Sequence, residues 1–461
     1  MQHRSRRRAI VRHYIWAIGS RVADGRVMRG SFVVAIAGLA CLIMAQRCGA
    51  SESATRSAEF AGKIDLPRLR AYALANNPAI RAIEHRWRAA QARVSQEGAL
   101  PDPMINTSYH NESFDQLRQG ESDFSFLRFG AEQEVPFPGK LSLKETVAAR
   151  EADRAEAVYH ATVLGVLTRL RIAYDDYYLP HASIEILRRN QDLLDQLVQA
   201  AEARYEVGEG LQQDVVRAQV ELSILVGRIT ALDQARQSAA AMLNAALNVP
   251  PGAPLGTPAP VEKRALTHTL EQLEGLARER SPILRAADSD VARAETALAL
   301  AKRQYYPDFV LRADYFNKAA LVPEWEVGAG IRVPLYFWQK QASGVREATA
   351  AVSEARASRQ GTSLEVSARL RDAYAQATSA GRLMELYGTV ITPQAELAFE
   401  SASAAYQVGK VDFLTVLNAF TIVNDYRLRY YEELTNFDKA VARLEEAAGL
   451  PTDGTPGGEV P

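Results

Sequence analysis

Glu324-Trp325-Glu326-Val327-Gly328-Ala329-Gly330-Ile331-Arg332-Val333-Pro334-Leu335 is the stretch on which the fold turns. Trp325, Val327, Ala329, Ile331, Val333 and Leu335 alternate with Glu324, Glu326, Gly328, Gly330 and Arg332. Successive side chains of a strand point to opposite faces, so one face here is apolar and the other polar or bare. Just upstream, Phe309, Leu311, Ala313 and Tyr315 alternate with Val310, Arg312 and Asp314. Far upstream, Leu127, Phe129, Ala131 and Val135 alternate with Arg128, Gly130, Glu132 and Glu134. A fourth candidate, near Met104 to Asn111, alternates poorly. Strands of about 10 residues, apolar outside and polar inside, are what a transmembrane barrel requires. Open sheet edges cannot face lipid, because unpaired backbone groups there cost several kcal/mol each. Four strands are too few to enclose a polar interior. Three copies of four make a twelve-stranded barrel, so closure predicts a homotrimer. A four-stranded sheet packed on a soluble core is the competing reading. Asp115 to Asp123 and Asn317 to Pro323 are polar, turn-like links, suited to extracellular loops. Phe137, Tyr336, Phe337 and Trp338 mark either an aromatic girdle at the periplasmic interface or ordinary packing where strand meets helix.

Outward from the strands, the chain is written twice. Arg169-Leu170-Arg171-Ile172-Ala173-Tyr174 recurs as Arg369-Leu370-Arg371-Asp372-Ala373-Tyr374, 200 positions on. Tyr205-Glu206-Val207-Gly208 recurs as Tyr406-Gln407-Val408-Gly409, 201 positions on. Val215 and Val416, Ala218 and Ala419, Leu243 and Leu444, and Pro250 and Pro451 keep that second offset. Pro101-Asp102 likewise matches Pro307-Asp308, and Pro136 matches Pro334. The repeats are residues 60–250 and 264–452, and a Gly/Pro-rich tail, 453–461, is expected to be disordered. Each half opens with an Ala-rich helix, about Leu66 to Gly98 and then Leu270 to Tyr305. A strand pair, a long helical stretch, the Tyr-x-Val-Gly turn and a last helix follow. Those last helices run about Leu211 to Leu247 and Asp412 to Ala448. As helix, Gly139 to Val207 would span roughly 100 Å, matching two flanking helices of roughly 50 and 55 Å end to end. Pro180 and Pro393 should kink or break the long stretches, at positions that are not equivalent. Leu211, Val215, Ala218, Leu222, Leu225, Ile229 and Leu232 make a heptad seam, echoed by Val416, Ala419, Val423, Tyr426 and Tyr430. The expected fold class is therefore mainly α with a transmembrane β part: a trimeric twelve-stranded barrel, four strands per chain, continued by a rod of long coiled-coil helices.

Arg4, Arg6, Arg7, Arg8, Arg12, Arg21, Arg26 and Arg29 precede an apolar run, Ser31 to Ala45, and a small-residue site, Cys48-Gly49-Ala50. Residues 1–50 thus read as a signal peptide, of ordinary length if translation begins at Met28; a membrane anchor is the alternative. Cys41 and Cys48 are the only cysteines, so cleavage after Ala50 would leave no thiol chemistry. Lipid modification is the other option, although Gly38 before Cys41 and Arg47 before Cys48 suit it poorly. After residue 50 no run reaches the roughly 20 apolar residues of a spanning helix, so any membrane entry must use strands. A net charge of -1 provides no basic field for nucleic acid.

No catalytic constellation appears. Of seven histidines, His3 and His13 precede the repeats, and His85, His110, His160, His181 and His268 hold no metal-ligand spacing. The six methionines do not cluster, and no phosphate-binding glycine loop is present. Asp175-Asp176 reads as a solvated helix face. Neither a metal site nor a cofactor is expected.

The duplicated order of helix, strand pair, long helix, Tyr-x-Val-Gly turn and helix resembles the TolC-like outer-membrane efflux family over nearly all of residues 60–452. Asp214-Val215-Val216-Arg217-Ala218 and Thr415-Val416-Leu417-Asn418-Ala419 after the turns carry the likeness. Leu100-Pro101-Asp102-Pro103 and Val135-Pro136-Phe137-Pro138-Gly139-Lys140 are similar to the heavy-metal, CusC/CzcC-like branch. The resemblance implies a homotrimer in outer-membrane lipid whose twelve-stranded β-barrel is continued by a long α-helical coiled-coil barrel, a periplasmic helical extension. It implies a periplasmic adaptor and an inner-membrane pump of the resistance-nodulation-division class. Tyr205, Val207, Gly208, Leu211, Val408 and Gly409 would form the tip that meets the adaptor. Tyr406 and Asp214 match a tyrosine and an aspartate that help hold the tip closed in relatives, with tip packing or helix capping as the other reading. Thr415 and Asn418 stand where relatives carry acidic rings, and Val411 where they carry a lock arginine. The closing mechanism is therefore expected to differ. A passive efflux duct for small solutes, heavy-metal cations among them, is the leading expectation. A protein-secretion channel and a structural coiled-coil envelope protein are its rivals.

Overall fold

The computed structural model describes residues 60, 62–112, 114, 119 and 121–451. The expected signal peptide, residues 1–50 with Cys41 and Cys48, part of the first strand link and the expected tail 453–461 lie outside them. The described residues form two units. In the smaller, made of Phe60, Gly62 and residues 252–256, the Gly256 N–H donates to the Phe60 carbonyl at 2.7 Å. The larger holds the helices and strands of the described residues.

In the first half these are α1 (Leu66–Asn76), α2 (Pro78–Gly98), β1 (Met104–His110), β2 (Phe126–Val135), α3 (Lys140–Glu206) and α4 (Gln212–Ala246). In the second they are α5 (Leu270–Arg280), α6 (Pro282–Arg303), β3 (Asp308–Asn317), β4 (Glu324–Arg332), α7 (Lys340–Leu386), a π-helical turn (Tyr387–Ile391), α8 (Thr392–Gln407) and α9 (Phe413–Ala448). The single opening helix expected in each half is two helices. Asn77 precedes Pro78 and Ser281 precedes Pro282, and the proline ring drives the residue before it out of the helical region. Asn77 turns this to use, its side chain accepting the Ala79 N–H at 2.9 Å as an N-cap.

The two long stretches differ as expected, but in an unexpected way. Pro180 breaks nothing: α3 runs 67 residues through it. An interior proline costs about 3 kcal/mol. Buried Tyr174, Tyr177, Ile184 and Leu187 around it offset that at about 1.5–3 kcal/mol each. Near Pro393 the interruption is the π turn, after which proline occupies the first turn of α8. Gly388 in that turn lies against the Tyr430 ring, where an added Cβ would come within 2.9 Å.

One apolar cluster joins both hairpins. Leu187, Leu194 and Ala201 of α3, Ala218 and Leu225 of α4, Tyr406 of α8, and Phe413, Val416 and Phe420 of α9 are all buried in it. The seam holds from Val215 to Leu232. Leu211 departs from it, being 59% exposed outside the helix as the N-cap position of α4. A second tie is ionic. Arg171 of α3 donates to both Asp438 oxygens and, at 3.1 Å, to Glu445 of α9, and Arg264 reaches the same two carboxylates. Asp175 is not on a solvated face; it is fully buried beside this cluster. Its neighbour Asp176 is exposed and pairs with Lys439 at 2.5 Å.

Candidate functional site

The strands form one antiparallel sheet in the order β1-β2-β3-β4. Register places Thr107, Phe129, Tyr315 and Trp325 in one row, and Ile105, Ala131, Ala313 and Val327 in the next. Trp325, Val327 and Ile331 are 77%, 70% and 62% exposed, far too much for a core face. β1 supplies Ile105, Thr107 and Tyr109 to this face, an alternation too mixed to read in isolation.

The opposite face carries Asn106, Gly130, Asp314 and Glu326 across one row, and Glu132 with Arg312 in another. It is laced by ion pairs: Arg128–Asp314 at 2.7 Å, Arg312–Glu132 at 3.4 Å and Arg332–Glu134 at 2.6 Å. Gly130 sits where a side chain would strike the Asp314 and Asn106 oxygens. This face is not wholly polar, since Phe126 packs between His110 and Phe316 at 5.2 and 5.1 Å. Below the sheet, Asp308 accepts the Phe137 N–H and the buried Lys140 ammonium, each at 2.8 Å, joining the two repeats. Phe137 stacks on Tyr306 at 4.6 Å, so it is packing where strand meets helix. Tyr336, Phe337 and Trp338 stay more than half exposed, as girdle residues would.

At the far end of the long helices lie the two turns. Gly208 has φ +78° and Gly409 φ +72°, a left-handed conformation that lets each chain reverse at a helix C-terminus. The Glu209 and Gly210 N–H groups donate to the Arg204 carbonyl at 2.9 Å, and Lys410 N–H donates to the Ala405 carbonyl at 2.9 Å. Tyr205, Val207, Leu211 and Val408 project from the turns, 47–72% exposed. The tip thus presents these apolar side chains beside exposed Glu206, Glu209, Gln407 and Lys410 on two tight turns.

Tyr406 is buried, its ring edge-on to Phe413 at 5.5 Å. Burial raises its hydroxyl pKa, and Asp214 adds to the rise while Arg204 opposes it. Arg204, of the other turn, bonds to Tyr406. The Arg204 Nη1 donates to the Tyr406 carbonyl at 2.7 Å, and its guanidinium lies 4.8 Å from the ring centroid. Sequence reasoning passed over Arg204, although it directly precedes Tyr205 of the turn motif. Val411 is half-buried against the shared apolar cluster. Thr415 and Asn418 are exposed one turn apart on α9. Asp412 caps that helix, accepting the Thr415 N–H at 3.0 Å and the Thr415 hydroxyl, and these bonds lower its pKa. Among the described residues, no group of three or more His, Cys, Asp or Glu could hold a metal ion. No helix among the described residues is long and apolar enough to cross a membrane.

A family model described as "Outer membrane efflux protein" matches residues 69–249 and 273–450. The chain is 21% identical over 405 residues to "Cobalt-zinc-cadmium resistance protein CzcC" of Cupriavidus metallidurans, covering 84% of this chain and 91% of that one. It is 23% identical over 399 residues to "Outer membrane protein TolC" of Vibrio cholerae, covering 81% and 88%. The crystal structure of CusC superposes with a TM-score of 0.72 at 16% identity, covering 84% of this chain and 92% of that one. That likeness shows the fold.

Proposed function

This chain belongs to the outer membrane efflux protein family, and on that premise we propose that it is the exit duct of a tripartite efflux system. It is an outer-membrane channel protein and not an enzyme, with four strands per chain in a trimeric twelve-stranded barrel and its helices extending into the periplasm. Small solutes pass through it passively, driven by an inner-membrane pump of the resistance-nodulation-division class. A periplasmic adaptor docks on Tyr205, Val207, Gly208, Leu211, Val408 and Gly409. The observation that supports docking there is the exposed apolar surface on rigid turns, which water alone would not favour. Thr415 and Asn418, with Val411, Tyr406 and Asp214 behind them, narrow the tip. Their constriction is steric and lacks the field of a carboxylate ring. Heavy-metal cations are the proposed cargo, because the CzcC relative is a cobalt-zinc-cadmium resistance protein and the Pro-Asp-Pro and Pro-Phe-Pro-Gly-Lys motifs point the same way. A duct needs no resident metal site for this. Deletion of the gene should sensitise cells to cobalt, zinc or cadmium. Sensitivity to organic drugs alone would replace the cargo, and a defect confined to protein secretion would replace the reading itself.

A further inference from the structure

The two repeats fall out of step by one residue. Residues 169–174 meet their copy 200 positions on, whereas Tyr205 meets Tyr406 at 201, so the second half carries one extra residue in between. The π-helical turn Tyr387–Ile391 lies in that interval, and its wider hydrogen-bond spacing takes up the extra residue without breaking the helix. At the later offset its counterpart is residues 186–190 of α3. The two counterparts line one cavity of about 520 Å³, Ile186, Arg189 and Asn190 from one repeat, Gly388 and Thr389 from the other. Ligand pockets run from about 300 to 1,000 Å³, and one water occupies about 30 Å³. Asn190 is 3% exposed, and its side-chain nitrogen has no hydrogen-bond partner. The Thr392 hydroxyl on the same lining has none either. Leaving a buried donor unpaired is costly, and two of them on one lining call for an acceptor inside it.

We propose that this cavity binds a small organic monoanion, a carboxylate on an aromatic or aliphatic body. The body lies among Ile186, Met384, Tyr430 and Tyr431, which supply the apolar and aromatic lining. The carboxylate accepts from Asn190 and Thr392, the two donors that lack a partner. Lys263, from the segment that joins the repeats, has no ion-pair partner among the described residues and favours the negative charge. Arg189 and Arg427 also line the cavity; they pair with Glu185 at 2.9 Å and Glu396 at 2.5 Å, and a guanidinium has donors to spare beyond one such pair. Glu385 is the carboxylate on the lining, so one negative charge suits the site better than two. Binding here needs nothing from the duct reading.

The test is photolabelling of purified full-length protein in lipid nanodiscs with benzophenone-4-carboxylate, read by peptide mass spectrometry. Adducts should map to Met384, Tyr430 or Tyr431 and should be competed by 2-naphthoate. The methyl ester of the probe, which has no charge, should label these residues less by about tenfold or more. Asn190→Leu and Thr392→Val each remove one unpaired donor at nearly constant volume. Each should lower the competed labelling by about tenfold, and Lys263→Met should lower it too. Glu385→Gln removes the opposing charge and should raise it. Equal labelling by acid and ester, adducts only at other residues, or unchanged labelling in both Asn190→Leu and Thr392→Val would overturn the site and leave a cavity that holds water alone. If Asn190→Leu yields no heat-modifiable trimer, Thr392→Val decides by the same criterion.

Discussion

Replacing Val327 by arginine tests the membrane face most directly. β4 spans nine residues, about 30 Å at 3.3 Å per residue, or about 23 Å of height at a tilt near 40°. Val327 lies one residue from its midpoint, 70% exposed, in register with Ala313. An arginine on the lipid face at the bilayer midplane costs about 2–4 kcal/mol. The trimer carries three copies, so the assembled barrel loses about 6–12 kcal/mol, comparable to the whole stability of an ordinary domain. Glu326→Arg adds the same side chain one residue away, on the inward face opposite Asp314. There it meets a carboxylate and water rather than lipid, and its cost should be near zero. The assay is folding into lipid vesicles, read as heat-modifiable trimer on gels and as urea resistance. Val327→Arg should abolish or sharply reduce trimer while Glu326→Arg preserves it. Equal yields, or the reverse order, would refute the face assignment and with it the barrel.

Near the end of the same strand, Ile331→Asp should hinder assembly more than Arg332→Asp, by a smaller margin, since that row lies toward the interface. At the tips, Gly208→Val and Gly409→Val force a β-branched residue into positive φ, at about 1–2 kcal/mol each. Export should fall while trimers persist in the membrane; normal export in both would end the docking assignment. The buried ionic cluster predicts a pH effect. Burial lifts Glu445 to about 7 and raises Asp175 well above the ordinary carboxylate range. Groups whose folded pKa is raised stabilise fully below their unfolded pKa and lose that contribution as pH rises through the folded one. Stability contributed here therefore declines from about pH 4.5 to beyond 7. Asp175→Asn, neutral throughout, should flatten the slope of melting temperature against pH; an unchanged slope would show that Asp175 does not titrate there.

What could be read from the chain alone followed periodicity. Alternation at period two depends only on the pleat, so Trp325 to Ile331 announced both strand and face. The 201-residue offset placed both turns, and glycine after Tyr-x-Val marked the positive φ that no β-branched residue takes easily. The Pro78 and Pro282 breaks were legible too, since the rule is local, but a continuous Ala-rich pattern masked them. Other features had no local signal. Pro180 stays within α3 because buried tyrosines and aliphatics outweigh its cost, and burial is a property of what packs against a helix. Asp175 looks like any solvated acid until α9 brings Asp438 and Glu445 beside it. Arg204 finds Tyr406 some 202 positions away only because the two halves fold side by side. Local sequence thus settled which elements form and which face of each is apolar; tertiary packing decided which charges are buried and which residues pair across the two halves, because those depend on partners that only long-range folding brings within a few ångströms.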